Sequence, residues 1–154
     1  MNWIVYSLVT IVSFIGMEGV AWLAHKYIMH GILWRLHKDH HQPRYHSVFE
    51  KNDSFFVIFA LPAIICFYTG YEEFGISFWV GVGISLYGLA YFFIHDLFIH
   101  QRIKILRQAE PLYFKAIRKA HKVHHKHLGK EEGECFGMLW APLKYFKEAK
   151  AYSH

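Results

Sequence analysis

Ten of the thirteen histidines fall into two matched sets. The first is His25 and His30, then His37, His40 and His41; the second is His95 and His100, then His121, His124 and His125. Each set reads HxxxxH followed by HxxHH. At about 100° per residue, positions i, i+3 and i+4 share one helix face, so the three imidazoles of an HxxHH can converge, and His is the commonest metal ligand. HxxxxH is less direct. On an unbroken α-helix, i and i+5 lie about 140° and roughly 7.5 Å apart. Both reach one site only through a π-bulge, through a helix end, or by serving two metals. Ten ligands exceed what one ion accepts, which favours two.

Imidazole suits Zn, Cu, Fe and Ni. Closed structural zinc sites usually take four ligands, often with Cys, and neither Cys66 nor Cys135 lies in a metal-type motif. The pattern therefore points to a dinuclear site with open positions and to iron as the metal. Neutral imidazoles leave the ions' charge uncompensated, which predicts a bound water or hydroxide and carboxylate neighbours. Asp39 and Asp96 lie within the motifs, and Glu18 sits seven residues before His25 on the same helix face. An ionisable group within an apolar span is a functional candidate, and Glu18 is expected to hydrogen-bond a ligand histidine. His46, His127 and His154 lie outside the pattern and are read as ordinary surface residues.

The elements that must carry these residues are apolar. Trp3 to Ala24 holds 22 residues with Glu18 as the only charge, enough to cross a bilayer core of roughly 30 Å. No basic residue precedes this stretch and no small-residue cleavage site follows it, so it is expected to stay in the mature protein as the first span. Ser54 to Gly70 gives 17 uncharged residues, with Asn52, Asp53 and Ser54 as candidate N-caps and Pro62 as a predicted kink. After the Tyr71–Gly75 turn come 19 uncharged residues, Ile76 to Ile94, whose Gly81, Gly83 and Gly88 allow close helix approach. A fourth, shallow span is an open alternative within Phe92 to Ile105.

All seventeen Lys and Arg fall between Lys26 and Lys51 or from Arg102 onward. The positive-inside rule then places segments 25–53 and 95–154 in the cytoplasm and the N-terminus and the Glu72-Glu73 turn outside. A helix is expected around Ile32 to His41, stopped by Pro43. A second starts at Pro111 and runs to about His127. A last amphipathic stretch, Pro142 to Ala151, is expected to lay Leu143, Phe146 and Ala149 on the bilayer interface.

Length and composition bound the rest. The 154 residues make one domain, 1–154, with 54% apolar and 19% aromatic residues, which excludes a disordered chain. A net charge of +5 could suit nucleic acid, but no nucleic-acid fold signature appears, and a membrane surface is the expected anionic partner. The fold class is all-α: a membrane helical bundle of three to four spans with a cytoplasmic cap that carries the histidine-rich dinuclear site.

Three stretches resemble the β-carotene hydroxylase family of the membrane fatty-acid hydroxylase superfamily. They are MEGVAWLAHKYIMHGILWRLHKDHHQPR at 17–44, YFFIHDLFIHQR at 91–102 and KAHKVHHKHLGKEEGECFGMLWAP at 119–142. The resemblance implies an integral-membrane di-iron oxygenase that hydroxylates carbon 3 of β-ionone rings, turning β-carotene into cryptoxanthin and then zeaxanthin. It implies O2 as co-substrate, electrons from a ferredoxin or similar carrier, and all ten motif histidines as iron ligands, with zinc able to replace iron in a purified sample. The cytoplasmic (inner) membrane is the expected location; oligomeric state is left open. The chemistry agrees independently: a ring methylene has no acidic proton and no polar handle, so neither base nor nucleophile opens it.

Trp22, Tyr91, Phe92, Phe98, Phe136, Leu139 and Trp140 flank the motifs as substrate-channel candidates, although aromatics there are more often membrane anchors or packing. Lys38, Arg102, Lys119 and Lys122 could receive an acidic electron carrier or face anionic lipid. Two alternatives stand beside the main reading: a related hydroxylase acting on a sterol, sphingolipid or fatty acyl chain, and a non-enzymatic metal or haem carrier.

Overall fold

The computed structural model describes residues 2–42, 49–103 and 111–151. Among them every regular element is helical: α1 (Trp3–Leu23), α2 (Trp34–His41), α3 (Ser54–Gly70), α4 (Ile76–Tyr91), α5 (Leu112–Lys126) and α6 (Leu143–Ala151). Two π-helical segments extend the bundle. Ala24–Ile32 prolongs α1 and Phe92–Ile99 prolongs α4. Three helical runs, Trp3–Ile32, Lys51–Gly70 and Ile76–Ile99, are long and apolar enough to cross a membrane. The first and third pass the expected ends at 24 and 94, because helix continues through the HxxxxH histidines. Phe92–Ile99 thus belongs to the third run instead of forming a separate span. Pro43 and His46, and also His154, lie outside the described residues.

The bundle is held by close approach where glycine permits it. A Cβ on Gly83 would stand 2.6 Å from the Thr10 carbonyl oxygen and from Ser13 Cβ, so α1 and α4 touch backbone to side chain there. Gly81 is less tight against α3, where a Cβ would stand 3.1 Å from Cys66 Cβ and 3.2 Å from the Ala63 carbonyl oxygen, whereas Gly88 faces open space. Near the other end, Tyr6 stacks on Trp79 at 5.5 Å and the Thr10 hydroxyl donates to the Trp79 carbonyl. Outward residues such as Ile4 (74% exposed) and Val12 (67%) have no protein cover; lipid supplies the apolar phase they need.

A second packing unit lies beyond the spans. Phe98, Ala116, Ile117, Ala120, Ala141, Tyr145 and Ala149 form one buried cluster between α5, α6 and the third run. This corrects the expected interfacial α6. Ala149 is buried, Phe146 packs against the cluster, and only Leu143 points outward. The helix is amphipathic, but protein takes up its apolar face through Tyr145 and Ala149, an i, i+4 pair. Pro111 sits one residue before α5 instead of in its first turn, in an extended conformation (ψ 135°) that starts the helix.

Candidate metal centre

The two π-helical segments settle how HxxxxH works. Widening the turn brings i and i+5 onto one face, and the His100 amide donates to the His95 carbonyl at 2.8 Å across that spacing. Each HxxxxH therefore delivers both imidazoles to one place: His25 and His30 to one cluster, His95 and His100 to another.

The HxxHH motifs split between the clusters. His25, His30, His37, His41 and His124 bring five ring nitrogens within 4.8 Å of one another; His40, His95, His100 and His121 do the same with four. Thus α2 sends its i and i+4 histidines (His37, His41) to the first cluster and its i+3 histidine (His40) to the second. Helix α5 does the reverse, sending His124 to the first and His121 to the second. The ring of His125 lies 4.7 Å from His40 and 4.8 Å from His100, and its buried Nε2 has no hydrogen-bond partner. Eight of the ten histidines are buried. The expected matched sets are real in sequence, yet each cluster draws on both.

The hydrogen bonds decide what the clusters can hold. Every ring of the first cluster donates from Nδ1 to a neutral acceptor: His25 to the Phe136 carbonyl (3.0 Å), His30 to Lys130 (3.1 Å), His41 to His127 (3.0 Å) and His124 to Glu134 (2.7 Å). His37 donates to Asn52 Oδ1 at 2.7 Å. A neutral imidazole carries one N–H, so each Nε2 presents a bare lone pair. Yet His25 and His37 meet Nε2 to Nε2 at 3.1 Å, His41 and His37 at 3.2 Å, and His30 and His124 at 3.2 Å. Facing lone pairs repel unless a cation lies between them. Two nitrogens bound at right angles to a metal at about 2.1 Å stand about 3 Å apart, which is the observed separation. The same holds for His40 and His95 at 3.1 Å, while His100 and His121 meet at 2.9 Å. These donors fit a metal ion in each cluster.

Burial keeps the rings neutral and the lone pairs free. It pushes His37 and His124 down to about 3, His41 and His100 to about 4 and His125 to about 2. His40 and His121 are also pushed well below the usual imidazole range, first by burial and then by neighbouring rings.

The second cluster has different partners. His40 Nδ1 donates to Glu50 at 2.8 Å, and His95 Nδ1 lies 3.3 Å from Asp96. Arg102 gathers these carboxylates, with its Nε 3.0 Å from Asp96 and an Nη 2.7 Å from Asp53 and 3.5 Å from Glu50. Burial raises Glu50 above the ordinary carboxylate value, and Arg102 pulls against that rise.

Three expectations are corrected here. Glu18 bonds no histidine: its carboxylate accepts the Tyr87 hydroxyl (2.7 Å) and the backbone amides of Met138, Leu139 and Trp140. Asp39 also misses the rings and accepts the Lys51 amide. Asn52 is no cap for α3, because its oxygen goes to His37. Of the carboxylates expected near the rings, Asp96 is the one that reaches a histidine. Sequence reasoning missed Glu50, Asn52 and the four carbonyls. Arg102, by sequence a candidate for carrier docking or lipid contact, is instead tied into the site. Lys119 pairs with Glu148, while Lys38 and Lys122 are exposed.

An apolar cavity of about 640 Å³ runs between α1, α3 and α4, lined by residues such as Met17, Phe59, Ile64 and Ile84. His25, His95, Asn52, Asp53, Asp96 and Arg102 form its polar end. Of the channel candidates, Tyr91, Phe92 and Phe136 line it. Trp22 packs edge-on against Phe136, Phe98 belongs to the α5–α6 core, Trp140 is 77% exposed, and Leu139 is held by the Glu18 contact.

Comparison with known proteins agrees with this arrangement. The fatty acid hydroxylase family model matches residues 10–144. A beta-carotene hydroxylase of Pantoea ananas is 44% identical over 92% of this chain and 81% of its own length. One from Paracoccus sp. (strain PC1) is 37% identical over 88% and 83%. The chloroplastic beta-carotene 3-hydroxylase 2 of Arabidopsis thaliana is 36% identical over 83% of this chain but only 43% of its own length. No solved structure matches. A membrane-length helical bundle, two histidine clusters and these likenesses lead to one conclusion: the chain belongs to the fatty acid hydroxylase family.

Proposed function

We propose that the protein hydroxylates carbon 3 of the β-ionone rings of a carotenoid in the membrane, converting β-carotene through cryptoxanthin to zeaxanthin. One observation carries the reading: two adjacent imidazole clusters stand at the polar end of an apolar cavity set between three membrane-length helices. The beta-carotene hydroxylase names of its relatives support the substrate class.

His25, His30, His37, His41 and His124 would hold one ion, and His40, His95, His100, His121 and His125 the other. We take both to be iron, because an unactivated C–H needs an oxidant that no side chain offers. Bound there, a reduced iron pair supplies that oxidising power from O2 and two external electrons, a ferredoxin-like carrier being the expected donor. The balance is C–H + O2 + two electrons + two protons giving C–OH + water.

The chain's own part is placement. Met17, Phe59, Ile64 and Ile84 give a hydrocarbon an apolar bed, and Tyr91, Phe92 and Phe136 line it together with His25 and His95. Buried rings exclude water from the reacting end. The distribution of basic residues supports a cytoplasmic position for this end, where electrons and protons would arrive. Packing counts against a haem held between these rings, since His40 and His100 lie 4.3 Å apart between centroids.

Producing the protein in cells that accumulate β-carotene and analysing their pigments tests the proposal. Cryptoxanthin and zeaxanthin are expected. Unchanged β-carotene beside inserted, iron-loaded protein and a competent donor would overturn it, and hydroxylated sterol, sphingolipid or acyl chains in the same cells would redirect it. Metal analysis of freshly isolated protein checks iron against adventitious zinc.

A further inference from the structure

Glu18 lies inside the first span, where an unpaired carboxylate is costly, and it is fully engaged with groups that do no chemistry. Oε1 accepts the amides of Met138 (2.8 Å), Leu139 (3.0 Å) and Trp140 (3.0 Å); Oε2 accepts the Tyr87 hydroxyl at 2.7 Å. Three consecutive amides folded round one oxygen form an anion-binding nest. The fit is close, since a Cβ on Gly137 would stand 2.8 Å from Oε1. The loop held in this way carries, immediately upstream, the carbonyls of Glu134 and Phe136, which accept from His124 and His25. Those bonds decide which nitrogen carries the proton and where Nε2 points.

We propose that Glu18 is a positioning residue which sets the metal-holding geometry of the first histidine cluster selectively, acting through the 134–140 loop from more than a hundred residues away in sequence. This rests on the reading of the clusters as metal sites. The second cluster takes its orienting contacts from Glu50 and Asp96, which the loop does not touch, so the effect is confined to one ion.

The test uses the full chain purified from membranes in detergent. Metal per chain is measured, and Co(II) titration followed by its visible absorption gives affinity site by site. Wild type is expected to take two ions. Glu18→Ala should bind the ion of the first cluster roughly 10- to 100-fold more weakly, the range for loss of a ligand-orienting partner, with the second unchanged. Glu18→Gln and Tyr87→Phe should show smaller losses in the same direction and serve if Glu18→Ala fails to accumulate. Combined with His124→Ala, Glu18→Gln should add less than its full effect, because only the His25 route remains; combined with His40→Ala it should add its full effect. Two unchanged affinities, or equal weakening of both ions, would overturn the proposal. A wild-type chain that binds no metal would instead remove the functional reading on which it rests.

Discussion

The two clusters use the same side chain and the same ring nitrogen and share α2 and α5, yet their surroundings differ in charge. Around the first cluster, the acceptors are four backbone carbonyls and one amide oxygen. Around the second, two imidazoles face carboxylates that Arg102 gathers. A carboxylate behind an imidazole makes the ring a more basic ligand, so an ion at the second position would meet more electron-rich rings than one at the first. The difference also shows what each depends on. The first is shaped by loop conformation, whereas the second is shaped by side-chain ion pairs.

Removing a ring should have the largest effect. His124→Ala and His40→Ala are each expected to abolish hydroxylation, with His124→Ala costing mainly the first ion and His40→Ala mainly the second; pigment and metal analysis of the same membranes checks both. Full activity in either variant would contradict the ligand assignment. Glu50→Gln comes next. It should weaken the second ion by roughly 10- to 100-fold and leave the first alone, and parallel Co(II) titrations would expose any leakage between the two. Asp96→Asn acts through a longer contact, 3.3 Å, and should cost at most roughly tenfold at the same ion. The smallest change sharpens the contrast. Asn52→Asp should keep both ions but place a carboxylate behind His37, so a redox titration is expected to show the first position moving to a more negative potential. An unmoved potential would mean that partner charge is not felt at the ring.

The sequence made the ligand inventory legible, since two repeated spacings select ten histidines from thirteen. It also showed the three membrane-length helices, because a long uncharged run has few other uses. Which ring joins which cluster was not readable. His40 and His41 are neighbours whose side chains point about 100° apart, and only the positions of α2 and α5 relative to each other decide where they go. The π turns at Ala24–Ile32 and Phe92–Ile99 were one of three routes left open by HxxxxH, and composition does not choose among them. The carbonyls of Lys130, Glu134, Phe136 and His127 leave no mark at all, since every residue has one. Glu18 was visible as an anomaly, but its partners, also backbone groups, were not. Asn52 and Glu50 looked like ordinary residues at the start of a helix.

Among the described residues, the histidine and charged groups that line the cavity gather at one end, where α1 and α4 finish and α3 begins. A long molecule with two identical rings can present only one of them there. To modify the other, it must withdraw into lipid, turn end for end and enter again. The singly hydroxylated compound should therefore appear as a free intermediate that a second protein molecule can capture, and the doubly hydroxylated product should rise only after a lag.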